Sequence, residues 1–159
     1  MTIRILSVGT IKEKYIIDAI NEYTKRLSKY AKVIFTKVDD EPIPDKAKAR
    51  DEEKIKITEG KKLLAHINPK DYNIALAIDG VMLSSEELAS KFVNIFTYES
   101  SNITFIIGGS LGLSKEVLDA CNYKLSFSKM TFPHGLFRII LLEQIYRSFK
   151  ILNNESYHK

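Results

Sequence analysis

The sequence predicts an α/β protein with a mostly parallel sheet and helices on both faces. Strand-like and helix-like segments alternate along the chain with no linker or internal repeat between them, which is the order found in such folds. Residues 73–79 (NIALAID) and 103–108 (ITFIIG) are also nearly continuous apolar runs, as expected for parallel strands buried on both sides. A chain of 159 residues can bury its own core, so we expect one domain spanning residues 1–159.

The first half of the chain contains two predicted strands and two predicted helices. The segments IRILSVG and KVIFTKV predict the strands. Between them, IKEKYIIDAINEYTKRLSKY predicts an amphipathic helix, with Ile16, Ile20 and Leu27 near one face. Residues 39–67 open with a proline-containing turn and continue as a highly charged helix. Its mixed lysine and glutamate side chains indicate a solvated face.

The second half continues the alternation. The segment SSEELASKFVNIFTYE predicts a helix that begins with a capping pattern, in which Glu87 follows Ser84 by three residues. A short helix is predicted from Ser114. The segment YKLSFS then predicts a fifth strand, and PHGLFRIILLEQIYRSFKIL predicts the last helix.

Composition excludes several classes of protein. The 24 Lys and Arg residues exceed the 20 Asp and Glu residues by four, a mild basic excess that permits a nucleic-acid partner without requiring one. Cys121 is the only cysteine, and the three histidines lack ligand spacing, so we expect no disulfide and no metal. No apolar run is long enough to span a membrane and no cleavage-like signal is present. We expect a soluble, cytoplasmic protein.

Three loops at the carboxyl ends of the predicted strands are candidates for a ligand site. They are DGVMLSS, GGSLGLS and SKMTFPHG. Glycines at positions 108, 109 and 112 would let a ligand approach the main chain. Their spacing is not that of a dinucleotide fingerprint, and no acid follows about twenty residues later. The glycine loop alone therefore predicts either a small-molecule site or a plain tight turn capped by Ser114.

The last predicted helix places an arginine on its apolar face. At about 100° per residue, Arg138 falls with Leu141, Leu142, Ile145, Phe149 and Leu152. The opposite side carries Glu143, Gln144, Arg147, Ser148 and Lys150. A guanidinium buried near a helix start needs a partner or a function. The alternatives are a salt bridge to a carboxylate such as Asp79 and a cation aimed at a substrate that becomes anionic.

Apolar residues also interrupt the polar side of this helix. They are Phe137, Ile140 and Ile151. A helix that is apolar nearly all round packs against the sheet on one side and, we expect, against another subunit on the other.

Several segments together resemble the RlmH family of SPOUT-class RNA methyltransferases. They are IIGGSLGLS, LSFSKMTFPHGLFRIILLEQIYRSFKI, the terminal YHK and, near the start, EYTKRLSKY. The resemblance implies a SPOUT methyltransferase fold with a C-terminal trefoil knot, which the pattern of the residues does not predict because knotted chains are rare. It also implies a homodimer that uses S-adenosylmethionine to methylate N3 of a pseudouridine in a stem-loop of 23S ribosomal RNA within the ribosome.

The resemblance further implies positions for the cofactor in the three loops. The implied cofactor-binding residues are Leu76, Gly108, Phe127, Ser128, Lys129, Met130, Thr131 and Phe132. Apolar walls with main-chain donors and acceptors suit the adenine and methionine parts of this ligand. The sequence departs from the family in two places, with Ser110-Leu111 where relatives often carry Pro-Glu and Ser156 where they often carry Pro. Main-chain contacts tolerate the first change, and the second implies a less rigid tail.

Methylation of an imide nitrogen requires an aligned acceptor and removal of its proton. Arg138 is the candidate to stabilise the resulting anion. His134, Tyr157 and His158 are the candidate proton acceptors. Two structural alternatives stay open, namely His134 as a residue of the helix start and Tyr157 and His158 as a frayed chain end.

Two other classes of protein also stay open. A nucleotide-binding oxidoreductase is disfavoured by the glycine spacing and the missing ribose-binding acid. A non-catalytic RNA-binding or ribosome-associated protein would bind ribosomes and transfer no methyl group.

Overall fold

The computed structural model describes residues 1–159 and contains one sheet of five strands. The strands are β1 (Thr2–Val8), β2 (Lys32–Val38), β3 (Tyr72–Met82), β4 (Asn102–Ile107) and β5 (Tyr123–Ser126). Their order across the sheet is β2-β1-β4-β3-β5, and every neighbouring pair is parallel. The predicted parallel α/β sheet is therefore confirmed.

Five α-helices cover both faces of this sheet. They are α1 (Lys14–Leu27), α2 (Ala49–Leu64), α3 (Ser85–Asn94), α4 (Lys115–Asp119) and α5 (His134–Leu152). Helices α1, α3 and α5 share one buried cluster that includes Phe92 and Phe149. Helices α2 and α4 share the other, through Leu63 and Val117. Alternate strand residues point to opposite faces, so the core lies on both sides of the sheet.

Serine hydroxyls set the start of two helices. Ser84 accepts a hydrogen bond from the Glu87 amide at 3.0 Å, and the Glu87 carboxylate accepts one from the Ser84 amide at 2.7 Å, which confirms the predicted capping box. Ser114 accepts from the Val117 amide at 3.4 Å and begins α4. The segment predicted to continue α3 is instead a π-helical turn, Ile95–Glu99.

Two features differ from the sequence prediction. Strand β3 runs to Met82, so the predicted loop DGVMLSS is partly strand. Ser148 was predicted on the polar side of α5 but is fully buried. Its hydroxyl donates a hydrogen bond to the Gln144 carbonyl at 2.8 Å, and this internal partner removes the need for water.

The structure contains neither a membrane-spanning helix nor a cluster of metal-ligating side chains. None of its helices combines the length and apolar character needed to cross a bilayer. No three His, Cys, Asp or Glu side chains lie together in a way that would hold a metal ion. The trefoil knot implied by the family resemblance stays a prediction.

Candidate active site

A cavity of about 470 Å³ opens at the carboxyl ends of β3, β4 and β5. All three loops predicted to form a ligand site contribute to its wall. The predicted cofactor-binding residues that line it are Leu76, Gly108, Phe127, Ser128, Met130, Thr131 and Phe132. Lys129 is the exception, because its side chain is exposed and lies outside the lining.

The loop after β4 is a tight turn built on glycine. The Gly112 amide donates a hydrogen bond to the Gly109 carbonyl at 3.0 Å, and Gly112 has a φ of +87°, which side chains rarely adopt. A Cβ atom on Gly108 would lie 2.7 Å from the Gly112 carbonyl carbon. The turn therefore closes on its own main chain and also forms one wall of the cavity, so both interpretations of the glycine loop apply.

A buried carboxylate supports this turn from behind. Glu59 on α2 is 5% exposed, and its Oε2 accepts a hydrogen bond from the Glu41 amide at 2.9 Å. A Cβ atom on Gly109 would lie 2.9 Å from the Glu59 Oε1. Burial raises the pKa of Glu59 above its ordinary value. A glycine inside a helix often marks close packing, and the neighbouring Gly60 packs against Ser114 and Val117 at the start of α4; this glycine is the sequence signal that α2 lies close to the glycine turn.

Lys56 lies one helical turn before Glu59 and lines the cavity. Its side chain is 28% exposed, and its Nζ lies 3.5 Å from the Glu53 Oε2. It is the only Lys or Arg side chain in the lining. The mixed charges of the segment that contains both residues predict a solvated helix, so the sequence does not identify Lys56 or Glu59 as site residues.

Three aromatic rings form the wall contributed by the loop after β5. The Phe127 and Phe137 ring centroids are 5.2 Å apart, and Phe132 stacks on Phe137 at 6.5 Å. The loop is fixed internally, because the Ser128 hydroxyl accepts a hydrogen bond from the Met130 amide at 2.9 Å. The Phe127 and Phe132 rings therefore present a stable apolar surface to the cavity.

An irregular part of β3 supplies the third wall. Leu76 and Val81 both pair with Leu125 of β5, so residues 77–80 leave the strand register between them. This excursion brings Ile78 and Asp79 into the lining.

Arg138 is buried behind the cavity and has no carboxylate partner. Its side chain is 8% exposed, and Nη2 donates hydrogen bonds to the Val8 carbonyl at 2.9 Å and the Gly9 carbonyl at 3.4 Å. Its Nε has no hydrogen-bond partner. Burial lowers the pKa of Arg138, but a guanidinium stays charged at neutral pH. The suggested salt bridge to Asp79 is therefore wrong, and the buried position on α5 is confirmed.

His134 combines two roles that the sequence left open. It is the first residue of α5, and it lines the cavity. Partial burial and the nearby Arg138 charge lower the pKa of His134. Its imidazole is therefore neutral at neutral pH and can accept a proton.

The C-terminal tail is docked on the protein and does not fray. The Tyr157 hydroxyl donates a hydrogen bond to the Glu143 carboxylate at 3.1 Å. His158 places Nε2 2.7 Å from the Glu86 carboxylate and Nδ1 3.1 Å from Arg147 Nη1. Neither Tyr157 nor His158 lines the cavity of its own chain, so their role as proton acceptors stays a prediction.

The fold and the cavity define a class of protein. It is an α/β protein with a cavity of small-molecule size at the carboxyl ends of its parallel strands, between a glycine turn and an aromatic wall. A cation without a counter-ion is buried behind this cavity, a position suited to negative charge on a reacting group.

Comparison with known proteins identifies the family. Residues 1–158 match the family model described as "Predicted SPOUT methyltransferase". A protein of Clostridium novyi named "Ribosomal RNA large subunit methyltransferase H" is 57% identical over 159 residues, which is 100% of both chains. A protein of the same name from Clostridium botulinum is 54% identical, again over 100% of both chains. The chain belongs to the SPOUT methyltransferase family.

Solved structures of this class are similar in fold. A Ribosomal RNA small subunit methyltransferase E from Neisseria gonorrhoeae, bound to S-adenosyl methionine, matches with a TM-score of 0.52 and 12% identity. A probable methylase family protein from Haemophilus influenzae matches with a TM-score of 0.50 and 13% identity. The matches cover 91% and 96% of this chain but only 65% and 66% of those chains. At these identities the likeness concerns the fold alone.

Proposed function

We propose that this chain is an S-adenosylmethionine-dependent methyltransferase that modifies N3 of a pseudouridine in a 23S ribosomal RNA stem-loop of the large ribosomal subunit. The observation that carries the proposal is 57% identity over the full length of a protein named Ribosomal RNA large subunit methyltransferase H. The cavity supports it, because its volume of about 470 Å³ lies within the range of small-molecule sites.

The cavity residues suit S-adenosylmethionine. The Phe127 and Phe132 rings offer flat apolar surfaces for adenine, and the main chain of the 108–112 turn supplies polar groups. Lys56 and Asp79 carry charges opposite to those of the carboxylate and ammonium groups of the methionine end. The bound cofactor supplies a methyl group that its sulfonium has already activated. The protein must then orient the acceptor nitrogen and manage its proton.

Arg138 stabilises the negative charge that develops on the imide when its proton leaves. Its guanidinium is buried, and only Nη2 donates hydrogen bonds. A fixed cation in a place of low dielectric acts strongly on charge that forms during the reaction. The two main-chain carbonyls hold the guanidinium in position without neutralising it.

His134 is the proton acceptor best placed within one chain, because it lines the cavity and its lowered pKa keeps the imidazole unprotonated at neutral pH. Tyr157 and His158 lie outside this cavity. They act as proton acceptors only if the tail of one subunit reaches the cavity of its partner. Their candidacy therefore depends on a homodimer.

The homodimer forms through α5 and the apolar surface beside it. Leu136 on α5 is 43% exposed, and Val81 and Met82 at the end of β3 are 52% and 53% exposed. Large apolar side chains that are this exposed favour association. Ile140→Glu on α5 should convert the dimer to monomer in sedimentation, because it places a charge in an apolar contact. Val93→Glu is the control, since Val93 is 46% exposed on α3; dimers that survive Ile140→Glu would place the interface elsewhere.

The reaction takes place on the ribosome in the cytoplasm, with residues 1–159 acting as one domain. The enzyme recognises its RNA largely by the shape that the ribosome presents.

The test is methyl transfer from labelled S-adenosylmethionine to purified ribosomes that lack the modification. We expect label at N3 of one pseudouridine of 23S ribosomal RNA. Ribosome binding without transfer would support a non-catalytic ribosome-associated protein. Binding of NAD in preference to S-adenosylmethionine, measured by titration, would support a nucleotide-binding oxidoreductase.

A further inference from the structure

An exposed aromatic and basic surface surrounds the loop that follows β1. It consists of Lys12, Tyr15, Phe35 and Lys37, and we call it the β1-loop surface. Tyr15 is 70% exposed and Phe35 is 45% exposed. Both lysines are exposed as well. Large aromatic rings that remain this accessible beside free cations are a recognised platform for nucleic-acid bases.

The strand geometry brings these residues to one side of the sheet. Val33 on β2 packs against the buried cluster beneath α1. Since side chains two residues apart share a face, Phe35 and Lys37 point to that same side. Lys37 also pairs in register with Ser7 near the end of β1, and its Nζ donates a hydrogen bond to the Thr10 hydroxyl at 3.3 Å. Lys37 thus lies at the base of the β1 loop.

Two of the lysines in this region are not neutralised. Neither Lys12 nor Lys37 takes part in a salt bridge, whereas Lys14 is paired with Asp18 at 2.5 Å. The acidic segment that follows β2 turns to the other face of the sheet. There, Lys62 of α2 bonds the Asp39 carbonyl and the Glu41 carboxylate. Glu13, which accepts a hydrogen bond from the Lys12 amide at 3.3 Å, offsets one of these charges. Lys12 and Lys37 together still leave the β1-loop surface positive, which is complementary to phosphate.

This surface adjoins the candidate catalytic residues. Ile16, next to Tyr15, packs against the start of α5, where a Cβ atom on Gly135 would lie 2.4 Å from the Ile16 Cδ1. The loop itself accepts the hydrogen bonds of Arg138 at Val8 and Gly9. A ligand on the β1-loop surface would therefore flank the first turn of α5, where His134 enters the cavity.

We propose that the β1-loop surface binds an unpaired stretch of the ribosomal RNA substrate beside the nucleotide that is methylated. Tyr15 stacks on a base, and Lys12 and Lys37 contact the adjoining phosphates. This inference rests on the proposed function and adds to it the part of the chain that holds the RNA. It also explains how residues 1–159 position the acceptor next to Arg138.

The test compares Tyr15→Ala with two other tyrosine variants on purified ribosomes that lack the modification. Tyr15→Ala should raise the KM for ribosomes, and weaken ribosome binding in co-sedimentation, by about tenfold. Its kcat and its affinity for S-adenosylmethionine should change little. Tyr15→Phe should keep most of the affinity because stacking needs only the ring. Tyr98→Ala is the matched control, since Tyr98 is 79% exposed in the π-helical turn.

The lysines give an independent measurement. Lys12→Ala and Lys37→Ala should each weaken ribosome binding at low salt and reduce the slope of log affinity against log salt concentration by about one. Lys14→Ala, which removes an already paired lysine, should have a smaller effect.

Three outcomes separate this inference from the proposed function. A Tyr15→Ala variant with wild-type KM and ribosome affinity would overturn the inference and leave the methyltransferase proposal intact. Wild-type protein that binds ribosomes but transfers no methyl group would overturn the proposed function, and co-sedimentation of Tyr15→Ala would still decide the role of the surface. A change in self-association of Tyr15→Ala without ribosomes would show that the surface joins two copies of the chain, which also overturns the inference.

Discussion

Two arginines lie near opposite ends of the strands, one at the amino end and one at the carboxyl end, and only one of them has a counter-ion. At the amino end, the Arg4 Nε lies 3.1 Å from the Asp71 carboxylate, whose side chain is fully buried. The same carboxylate accepts a hydrogen bond from the Thr104 hydroxyl at 2.9 Å. At the carboxyl end, Arg138 is more deeply buried and touches only main-chain carbonyls.

The two arginines differ in whether a carboxylate neutralises the charge. A neutralised charge supports the structure, whereas a charge that is not neutralised is available for chemistry. An ion pair surrounded by hydrogen bonds stabilises the packing of the strands. Its opposite charges largely cancel, so the pair exerts only a weak electric field on a ligand. A buried cation that is held only by carbonyls keeps its charge and meets part of its desolvation cost with neutral dipoles. We therefore expect the Asp71 network to govern stability and Arg138 to govern rate.

The largest expected effect is on the rate at Arg138. Arg138→Ala should lower the single-turnover rate of methyl transfer by about 10²-fold or more, the scale for losing one preorganised electrostatic donor. Affinity for S-adenosylmethionine should change little, since Arg138 is not in the cavity lining. Arg138→Lys should restore only part of the rate, because an ammonium lacks the planar fork of the guanidinium.

Melting temperature distinguishes this role from a structural one. If either Arg138 variant melts far below the wild type but reacts at the normal rate per folded molecule, then Arg138 has a structural role, as Arg4 does, and its proposed catalytic role is wrong.

The next effect is on stability at Asp71. Asp71→Ala should lower the free energy of unfolding by about 2 kcal/mol, because Thr104 loses its buried acceptor and Arg4 loses its partner. The Arg4 side chain is 40% exposed, so water limits the loss. Urea denaturation measures the change, and the methyl-transfer rate of the folded variant should match that of the wild type. A rate defect with unchanged stability would contradict the structural assignment of this end of the strands.

A smaller effect is expected at Lys56, the cation in the cavity wall. Lys56→Ala should weaken S-adenosylmethionine binding by about tenfold, the loss expected for one charge-assisted hydrogen bond. Calorimetry measures it directly. Lys54→Ala is the control, because Lys54 is exposed on the same helix outside the lining. Equal affinities for the two variants would remove Lys56 from the cofactor site.

The sequence predicted regular parts of this molecule better than irregular ones. The periodicity of α5 placed Leu141, Ile145 and Arg138 on its buried face, since burial there follows the helical repeat. Periodicity could not identify the carbonyls that bind Arg138. Every residue has a main-chain carbonyl, so the residue type does not indicate which of them accepts a hydrogen bond. The excursion at residues 77–80 was missed for a related reason, since it depends on the register with β5. Lys56 could not be recognised as a site residue from the sequence, because the many charged residues of α2 predict a solvent-exposed helix.

The family resemblance supplied what periodicity could not. Seven of the eight cofactor positions that it implied lie in the wall of the cavity, and the family itself is confirmed. Its implied knot and catalytic assignments stay predictions.

The smallest expected effect concerns the tail, a third charged cluster that is exposed and fully paired. The Glu155 carboxylate contacts Lys150 at 2.6 Å and Tyr30 at 2.8 Å, and these bonds lower the pKa of Glu155 to about 2. A lowered carboxylate pKa stabilises the docked tail above the ordinary pKa near 4.5, and this contribution is lost as the pH falls toward 2.

Amide hydrogen exchange of residues 153–158 should therefore show more opening at pH 3 than at pH 6, after correction for intrinsic rates. Glu155→Gln should open the tail slightly at pH 6 and reduce the difference between the two pH values; the contact of His158 with Glu86, which lowers the pKa of that carboxyl, accounts for the remainder. A wild-type tail with equal protection at both pH values would show that the aromatic contact of Tyr157 with Tyr146 holds the tail without help from charge.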